Sequence, residues 1–278
     1  MNADDFFSAG LVIFTRMLLD GGQMPDTSWL YDGNVVFRMQ PRGLFRKQAV
    51  TLNGYAEWAA YALRNGLTDV WLRTPTDGDM NLLAFANYRN NVVVCRWKRR
   101  TTALVMHWGF KKGDTHWTVT LTETWDAEAV RPHLRFSRTE YAALLSELAD
   151  FAAFLNYPFF EGQFRKAVDC LNDPDAPAPV DVPYPQPTPP LPQPFLGVWN
   201  AVSYASVTGA MGSWNDSPPC IAAELHCDDR YNELTQRLID QNRLAVTFAA
   251  NEFTNPEAVS CEFPPKRRLK HDNPVDTD

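Results

Sequence analysis

Nowhere in these 278 residues does an apolar run approach the ~20 residues that a membrane-spanning helix needs. The first apolar stretch, Phe6 to Phe14, follows Asp4 and Asp5 where a secretion signal carries Lys or Arg, and Arg16 comes soon after it. The five cysteines, Cys95, Cys170, Cys220, Cys227 and Cys261, are odd in number and contain no CxxC pair, so neither a secreted disulfide framework nor a zinc ribbon is indicated. Basic residues are in the minority: 26 Lys and Arg against 33 Asp and Glu leave a net charge of -7, the wrong sign for a nucleic-acid partner. The GxSxG, HExxH and GxxxxGK[ST] patterns are all missing. The expectation from these absences is a soluble cytoplasmic protein with no membrane span, no nucleic-acid partner, no cofactor and no metal, and without positive support for an enzyme.

What is abundant is apolar and aromatic. Hydrophobic residues make up 45% of the chain, with seventeen Phe, nine Trp and nine Tyr, enough for a substantial core. Proline is concentrated between Pro174 and Pro194, where ten of the residues are proline. Proline fixes φ and donates no amide hydrogen, so this stretch reads as extended polyproline II. Its PxxP spacings, such as Pro187 to Pro190, read as those of a spacer or packed strap ahead of a ligand for an SH3-type groove. It divides the chain into an α+β main domain (1–172), a proline-rich strap (173–194), a strand-loop-helix part packed on the main domain (195–263) and a mobile, mixed-charge tail (264–278).

The clearest local pattern is a three-stranded antiparallel meander from Val92 to Trp125. With turns at Arg99-Arg100 and at Lys111 to Asp114, Cys95 opposes Leu104, Val93 opposes Met106, Met106 opposes Val119, Leu104 opposes Leu121, and Trp108 opposes Trp117. All of these fall on one face, because side chains alternate with period two. The other face carries His107, His116, Thr118, Thr120, Thr122, Arg96 and Lys98 and reads as largely solvated. Further strands are expected near Val35–Met39, Phe45–Leu52 and Val70–Arg73. Asn53 is placed to cap a helix with Tyr55, Ala59, Ala62 and Leu63 on its stripe, stopped by Asn65-Gly66. Ser137 and Glu140 form a capping-box pattern with Phe136 and Tyr141 as a staple, and Leu144, Leu145, Leu148 and Leu155 continue the stripe. Pro158 suits the first turn of another helix through Phe160, Phe164, Val168 and Leu171. The fold class is therefore α+β, an antiparallel or mixed sheet flanked by helices. After the proline segment, Val198 to Val207 reads as a strand, and Tyr231, Leu234, Leu238, Ala245 and Phe248 share a helical stripe capped by Asp228 or Asp229.

Between them lies the one stretch that reads as a motif: Gly209, then Met211, Gly212, Ser213, Trp214, Asn215 and Asp216. Gly209 and Gly212 permit positive φ, and Ser213, Asn215 and Asp216 carry acceptors for exposed backbone amides. Trp214 either plugs the core or stands in a recognition pocket. Together with Tyr231, Glu233, Leu234 and Leu238, this segment resembles a GxMGSWND turn followed by a YxELxxxL helix near the C-termini of small uncharacterised bacterial proteins. The likeness is confined to the C-terminal part, and it implies a setting among bacterial toxin–immunity neighbours without assigning a catalytic role. His107 and His116, on adjacent strands of one face, form a second candidate pair but lack a third group. Cys220, His226, Cys227, Asp228 and Asp229 supply potential ligands whose order matches no recurrent zinc spacing. The reading is a non-catalytic interaction protein, of immunity or inhibitor type, for a basic protein partner such as a toxin. The alternative is an enzyme or small-molecule binder with a pocket near Trp214.

Overall fold

The structure is a computed structural model that describes residues 3–22, 34–41, 48–73, 91–110, 118–125, 130–131, 134–173, 189–209 and 211–255. Its elements in chain order are α1 (Ala3–Leu19), β1 (Val35–Met39), β2 (Val50–Asn53), α2 (Gly54–Arg64), β3 (Leu67–Arg73), β4 (Val92–Trp97), β5 (Arg100–Gly109), β6 (Thr118–Trp125), α3 (Arg138–Phe154), α4 (Pro158–Asn172), α5 (Gln193–Ala205), α6 (Pro218–Glu224) and α7 (Asp228–Glu252). The class is α+β. The meander β4-β5-β6 is half of a six-stranded sheet in the order β2-β1-β6-β5-β4-β3. It is a mixed sheet, because β1 pairs with β6 in parallel while every other pair is antiparallel.

The first hairpin turns at Lys98-Arg99 instead of Arg99-Arg100, so Trp97 opposes Arg100, Cys95 opposes Thr102 and Val93 opposes Leu104. The second is displaced by as much in the opposite direction: Met106 opposes Leu121, Leu104 opposes Glu123, and Trp108 opposes Val119. Both expected registers were thus off by two residues. An even displacement leaves each side chain on its face, so Val93, Cys95, Leu104, Val119 and Leu121 are all buried on the helix-covered side. Trp108 does not oppose Trp117, which lies outside the described residues. It packs edge-on against Phe7 of α1, with ring centroids 6.2 Å apart.

The core face is not wholly apolar. Glu123 is fully buried there, and its Oε1 accepts from the Thr102 hydroxyl at 2.8 Å and from Arg100 at 3.4 Å, while Oε2 accepts from the Gln40 amide at 2.8 Å. Trp97 Nε1 donates to the same threonine oxygen at 2.8 Å, so a buried carboxylate is held by a chain of donors, as its desolvation demands. The opposite face departs from the expectation at one end. Trp71, Val94 and Ala103 are buried there, and the Arg96 guanidinium lies 5.0 Å from the Trp71 ring centre. Towards β6 this face opens, with Thr118, Thr120 and Thr122 half-buried and His107 exposed.

Several helix boundaries follow from local chemistry. The Ser137 hydroxyl accepts the Glu140 amide at 3.2 Å, and Phe136 meets Tyr141 edge-on at 5.9 Å, which completes the staple at the start of α3. Gly66 takes φ +73 and ends α2. Asn53 precedes α2 but makes no side-chain cap. Its own amide instead donates to Glu57 Oε2 at 2.7 Å, and Leu63, expected on the stripe, is exposed.

Helices α1 and α6 have no counterpart in the sequence reading, and the segment read as a strand, Val198 to Val207, is the greater part of α5. Phe195, Val198, Trp199, Ala201, Val202, Tyr204 and Ala205 are buried, and so is Asn200, so burial runs round α5, no exposed polar face sets its period, and such a segment reads equally as strand or helix. Proline does not exclude the helix at its start either, since Pro194 lies in the first turn, where its missing amide hydrogen has no intrahelical partner to lose. The proline-rich segment therefore ends before Gln193. Its residues 174–188 lie outside the described residues, as does the tail from 256 onward. At the start of α7 the cap position is Cys227, with Asp228 and Asp229 in the first turn.

At its β3 edge the sheet meets α1 and α7. Among the described residues β3 is the last strand of the sheet, and none of the described strands pairs with the outward N–H and C=O of Leu72. The side-chain amide of buried Asn251, at the end of α7, takes both: the Leu72 amide donates to Asn251 Oδ1 at 2.7 Å, and Asn251 Nδ2 donates to the Leu72 carbonyl at 2.9 Å. Arg16 of α1 and Arg131 both donate to the Asn251 backbone carbonyl, one of the orphan acceptors of the helix terminus. Burial and the neighbouring Arg131 lower the pKa of Arg16, while Asp69, Glu252 and Asp20 act in the opposite direction. Replacing Asn251 by Ala leaves two backbone groups of Leu72 without partners, so the Asn251→Ala variant is expected to lose about 2–4 kcal/mol of stability. Urea unfolding checks this, and a midpoint unchanged from the parent would contradict it.

Candidate functional site

The turn that joins α5 to α6 is built from its own side chains. Asn215 Oδ1 accepts the Gly209 amide at 2.7 Å and the Ser213 hydroxyl at 2.9 Å, while Asn215 Nδ2 donates to the Gly209 carbonyl at 3.1 Å. Asp216 Oδ2 accepts the Gly212 amide at 2.7 Å, and Gly212 has φ +82, a conformation open to glycine at little cost. The Trp214 amide donates to the Val207 carbonyl at 2.9 Å and anchors the turn to the end of α5. Ser213, Asn215 and Asp216 thus bind the loop's own backbone and side chains, the arrangement typical of Asx-type turns.

This turn drives Trp214 inward. The indole is fully buried, and its neighbours meet it edge-on: Phe160 at 5.3 Å and Phe164 at 5.5 Å from α4, and Phe151 at 6.5 Å from α3. Tyr231 from α7 closes the cage at 5.5 Å. Nε1 donates to Thr235 Oγ1 at 2.8 Å, and the Tyr231 hydroxyl donates to the Trp214 carbonyl at 2.8 Å. Three helices and the loop therefore share one side chain whose only polar atom is satisfied. Removing a buried side chain of this kind costs ~3–5 kcal/mol, which makes Trp214 a structural plug with no face open to a ligand.

What the plug supports is exposed. Helix α3 ends in a Schellman turn: Asn156 at φ +62, its amide donating to the Ala153 carbonyl at 3.0 Å and the Tyr157 amide to the Ala152 carbonyl at 2.9 Å. On either side of this turn stand Phe154, 61% exposed, and Phe159, 53% exposed. Each lies one ring from Trp214. Phe154 stacks on Phe151 at 6.1 Å, and Phe159 meets Phe160 at 5.3 Å. Met211, in the loop itself, is 94% exposed. Of the loop residues singled out in the sequence, Met211 and Asp216 face outward, Ser213 and Asn215 are half-buried, and Trp214 is internal.

Phe154 and Phe159 were not among the candidates. The signal was present, because each is a large apolar residue immediately beside the buried stripe residues Leu155 and Phe160 and therefore off the stripe.

His107 is not brought to this site: it is exposed on the face of the sheet away from the helices and pairs across the strands with Thr120. His116 lies outside the described residues. Among the described residues no three of His, Cys, Asp and Glu converge as a metal site, and no helix is long and apolar enough to cross a membrane. Comparison with known protein families, with curated proteins and with solved structures finds no significant match to this chain.

The cage has a pH signature. Burial pushes the Tyr231 phenol from its ordinary value near 10 up to about 12, partly opposed by its hydrogen bond with Thr235. Burial raises Tyr55 to about 12 as well and raises Tyr141 further. A folded-state pKa above the unfolded one means that the unfolded chain releases its proton first as the pH rises. The stability these groups contribute is therefore complete below pH 10 and is lost between pH 10 and about 12. Urea midpoints across this window are expected to fall, and to fall less steeply in Tyr231→Phe, whose ring stays in the cage without an ionisable hydroxyl. An equal slope in the variant would contradict the burial of the phenol.

Proposed function

We propose that this protein is a non-catalytic, cytoplasmic interaction protein, of the immunity or inhibitor type, which binds a basic protein partner in a bacterial setting. The observation that carries the reading is the division of labour around Trp214. The polar side chains that would serve chemistry or a small ligand are occupied within the loop, while large apolar side chains stand exposed on a rigid base around it. The alternative, an enzyme or small-molecule binder with a pocket at Trp214, has less support, because the indole is enclosed on every side and its nitrogen is already bonded.

Net charge supports the nature of the partner. At -7 the chain attracts a basic protein and repels polyanions, and such complementarity acts mainly on the association rate. The partner recovered by co-purification is therefore expected to be basic, with an association rate constant that falls as salt is raised, because the Debye length shrinks from about 10 Å at 0.1 M to about 3 Å at 1 M. Dissociation changes far less, since buried apolar anchors are little screened. Surface plasmon resonance over a salt series reads both constants. An association rate indifferent to salt would contradict the reading.

A further inference from the structure

Resting on the reading above, we propose that the surface around the α3–α4 turn and the 209–216 loop, centred on Phe154, Phe159 and Met211, docks an amphipathic segment of the partner, with apolar side chains at its centre and lysine or arginine around them. The apolar half of this assignment follows from exposure. Two phenylalanines, 61% and 53% exposed, each stand one ring from the buried indole, and Met211, 94% exposed, lies three residues before it in the loop, while the other exposed large apolar residues, Leu63, Phe110, Val130 and Leu225, lie outside the α3–α4 turn and this loop. Large apolar side chains in one place mark contact surfaces, and aromatic anchors dominate the energy of contact.

The base beneath them is fixed. Phe154 and Phe159 flank a Schellman turn, and Met211 sits in a turn closed by Asp216 on the Gly212 amide. Little conformational entropy remains to be lost on binding.

The basic half follows from the surrounding charges. Asp150 lies one helical turn before Phe154, Glu161 two residues after Phe159, and Asp216 two residues after Trp214. The cation facing the first two is Arg165, shared between Asp150 at 3.1 Å and Glu161 at 3.0 Å. Asp228 and Asp229 add negative charge in the first turn of α7, the helix whose Tyr231 closes the cage. Arg230, over the Phe151 ring at 5.6 Å, shares Glu147 with Arg237, at 3.6 Å and 3.2 Å, and Arg237 also meets Glu233 at 3.4 Å, so these two arginines are matched by two carboxylates. The rim is therefore acidic. It opposes a second copy of the same surface, through like charge, and an anionic membrane for the same reason, which leaves a basic, apolar-centred protein segment as the occupant.

Two short amphipathic helical peptides test this on the full chain, one of leucine and lysine and one of leucine and glutamate, with binding read by fluorescence anisotropy at low salt. The lysine peptide is expected to bind at least about tenfold more tightly than the glutamate peptide. The double variant Phe154→Ser, Phe159→Ser and the single variant Met211→Ser are expected to weaken lysine-peptide binding, by about tenfold for the double. The control Leu63→Ser, at an exposed apolar site on α2, leaves it unchanged. Met211 is almost wholly exposed, so its variant keeps the fold intact whatever the phenylalanine pair does. Equal affinity for the two peptides, undiminished binding by the double variant and by Met211→Ser, or a chain that dimerises through Phe154 and Phe159 in light scattering would each overturn the proposal. Those results leave salt-dependent association with the recovered partner standing, so failure of this surface is distinct from failure of the functional reading.

Discussion

An edge strand presents backbone groups that only another backbone, a side chain or water can satisfy. In this protein the carboxamide of Asn251 does so for β3, presenting one donor and one acceptor to Leu72 as a neighbouring strand would. That pairing fixes where α7 ends relative to the sheet. The terminus so placed is held from the other side by Arg16 and Arg131, whose guanidiniums meet the Asn251 carbonyl, with Asp69 and Glu252 within ion-pair reach of Arg131. Positive charge at a helix C-terminus is favourable in itself, and here it also ties α1 to α7. The edge, the last turn of α7 and the last turn of α1 thus form one junction.

From this junction the 25-residue helix α7 runs back about 30 Å, from Asn251 to Tyr231, to reach the Trp214 cage. Along the way it buries Leu234, Leu238, Ala245 and Phe248 in the same core as the sheet and α1. Phe248 stacks on Phe136 at 5.0 Å and on Phe195 at 5.6 Å, so the start of α3 and the start of α5 register on it. At its far end Thr235 accepts the Trp214 indole N–H and Tyr231 donates to the Trp214 carbonyl. The position of the outward-facing Phe154, Phe159 and Met211 therefore descends, contact by contact, from a helix anchored at the sheet edge.

How much of this was legible depended on which signals survive error. The face of each meander residue was legible despite two misplaced turns, because period-two alternation is indifferent to a shift of two. The cap at Ser137 and the stop at Gly66 were legible because their chemistry is local. Helix α5 was not, because burial on all sides removes the polar face from which a period is read. The partners of Asn251 were also hidden: Leu72 lies 179 residues away, and nothing in a single chain marks which polar residue will meet a strand edge. At the loop, the residues that looked most functional, Ser213, Asn215 and Asp216, prove to bond within the turn, while Phe154 and Phe159 were passed over because they lay beside a convincing buried stripe.

The central claim is that the sheet edge and the tryptophan cage are two ends of one cooperative unit spanned by α7. Native-state hydrogen exchange measures it most directly, on two sites about 24 Å of helix apart: the Leu72 amide, bonded to Asn251, and the Trp214 indole N–H, bonded to Thr235. The account predicts that both exchange only through global unfolding, with opening free energies that agree with each other and with the stability from urea. An indole that exchanges through a much cheaper local opening, with Leu72 still protected, would contradict it.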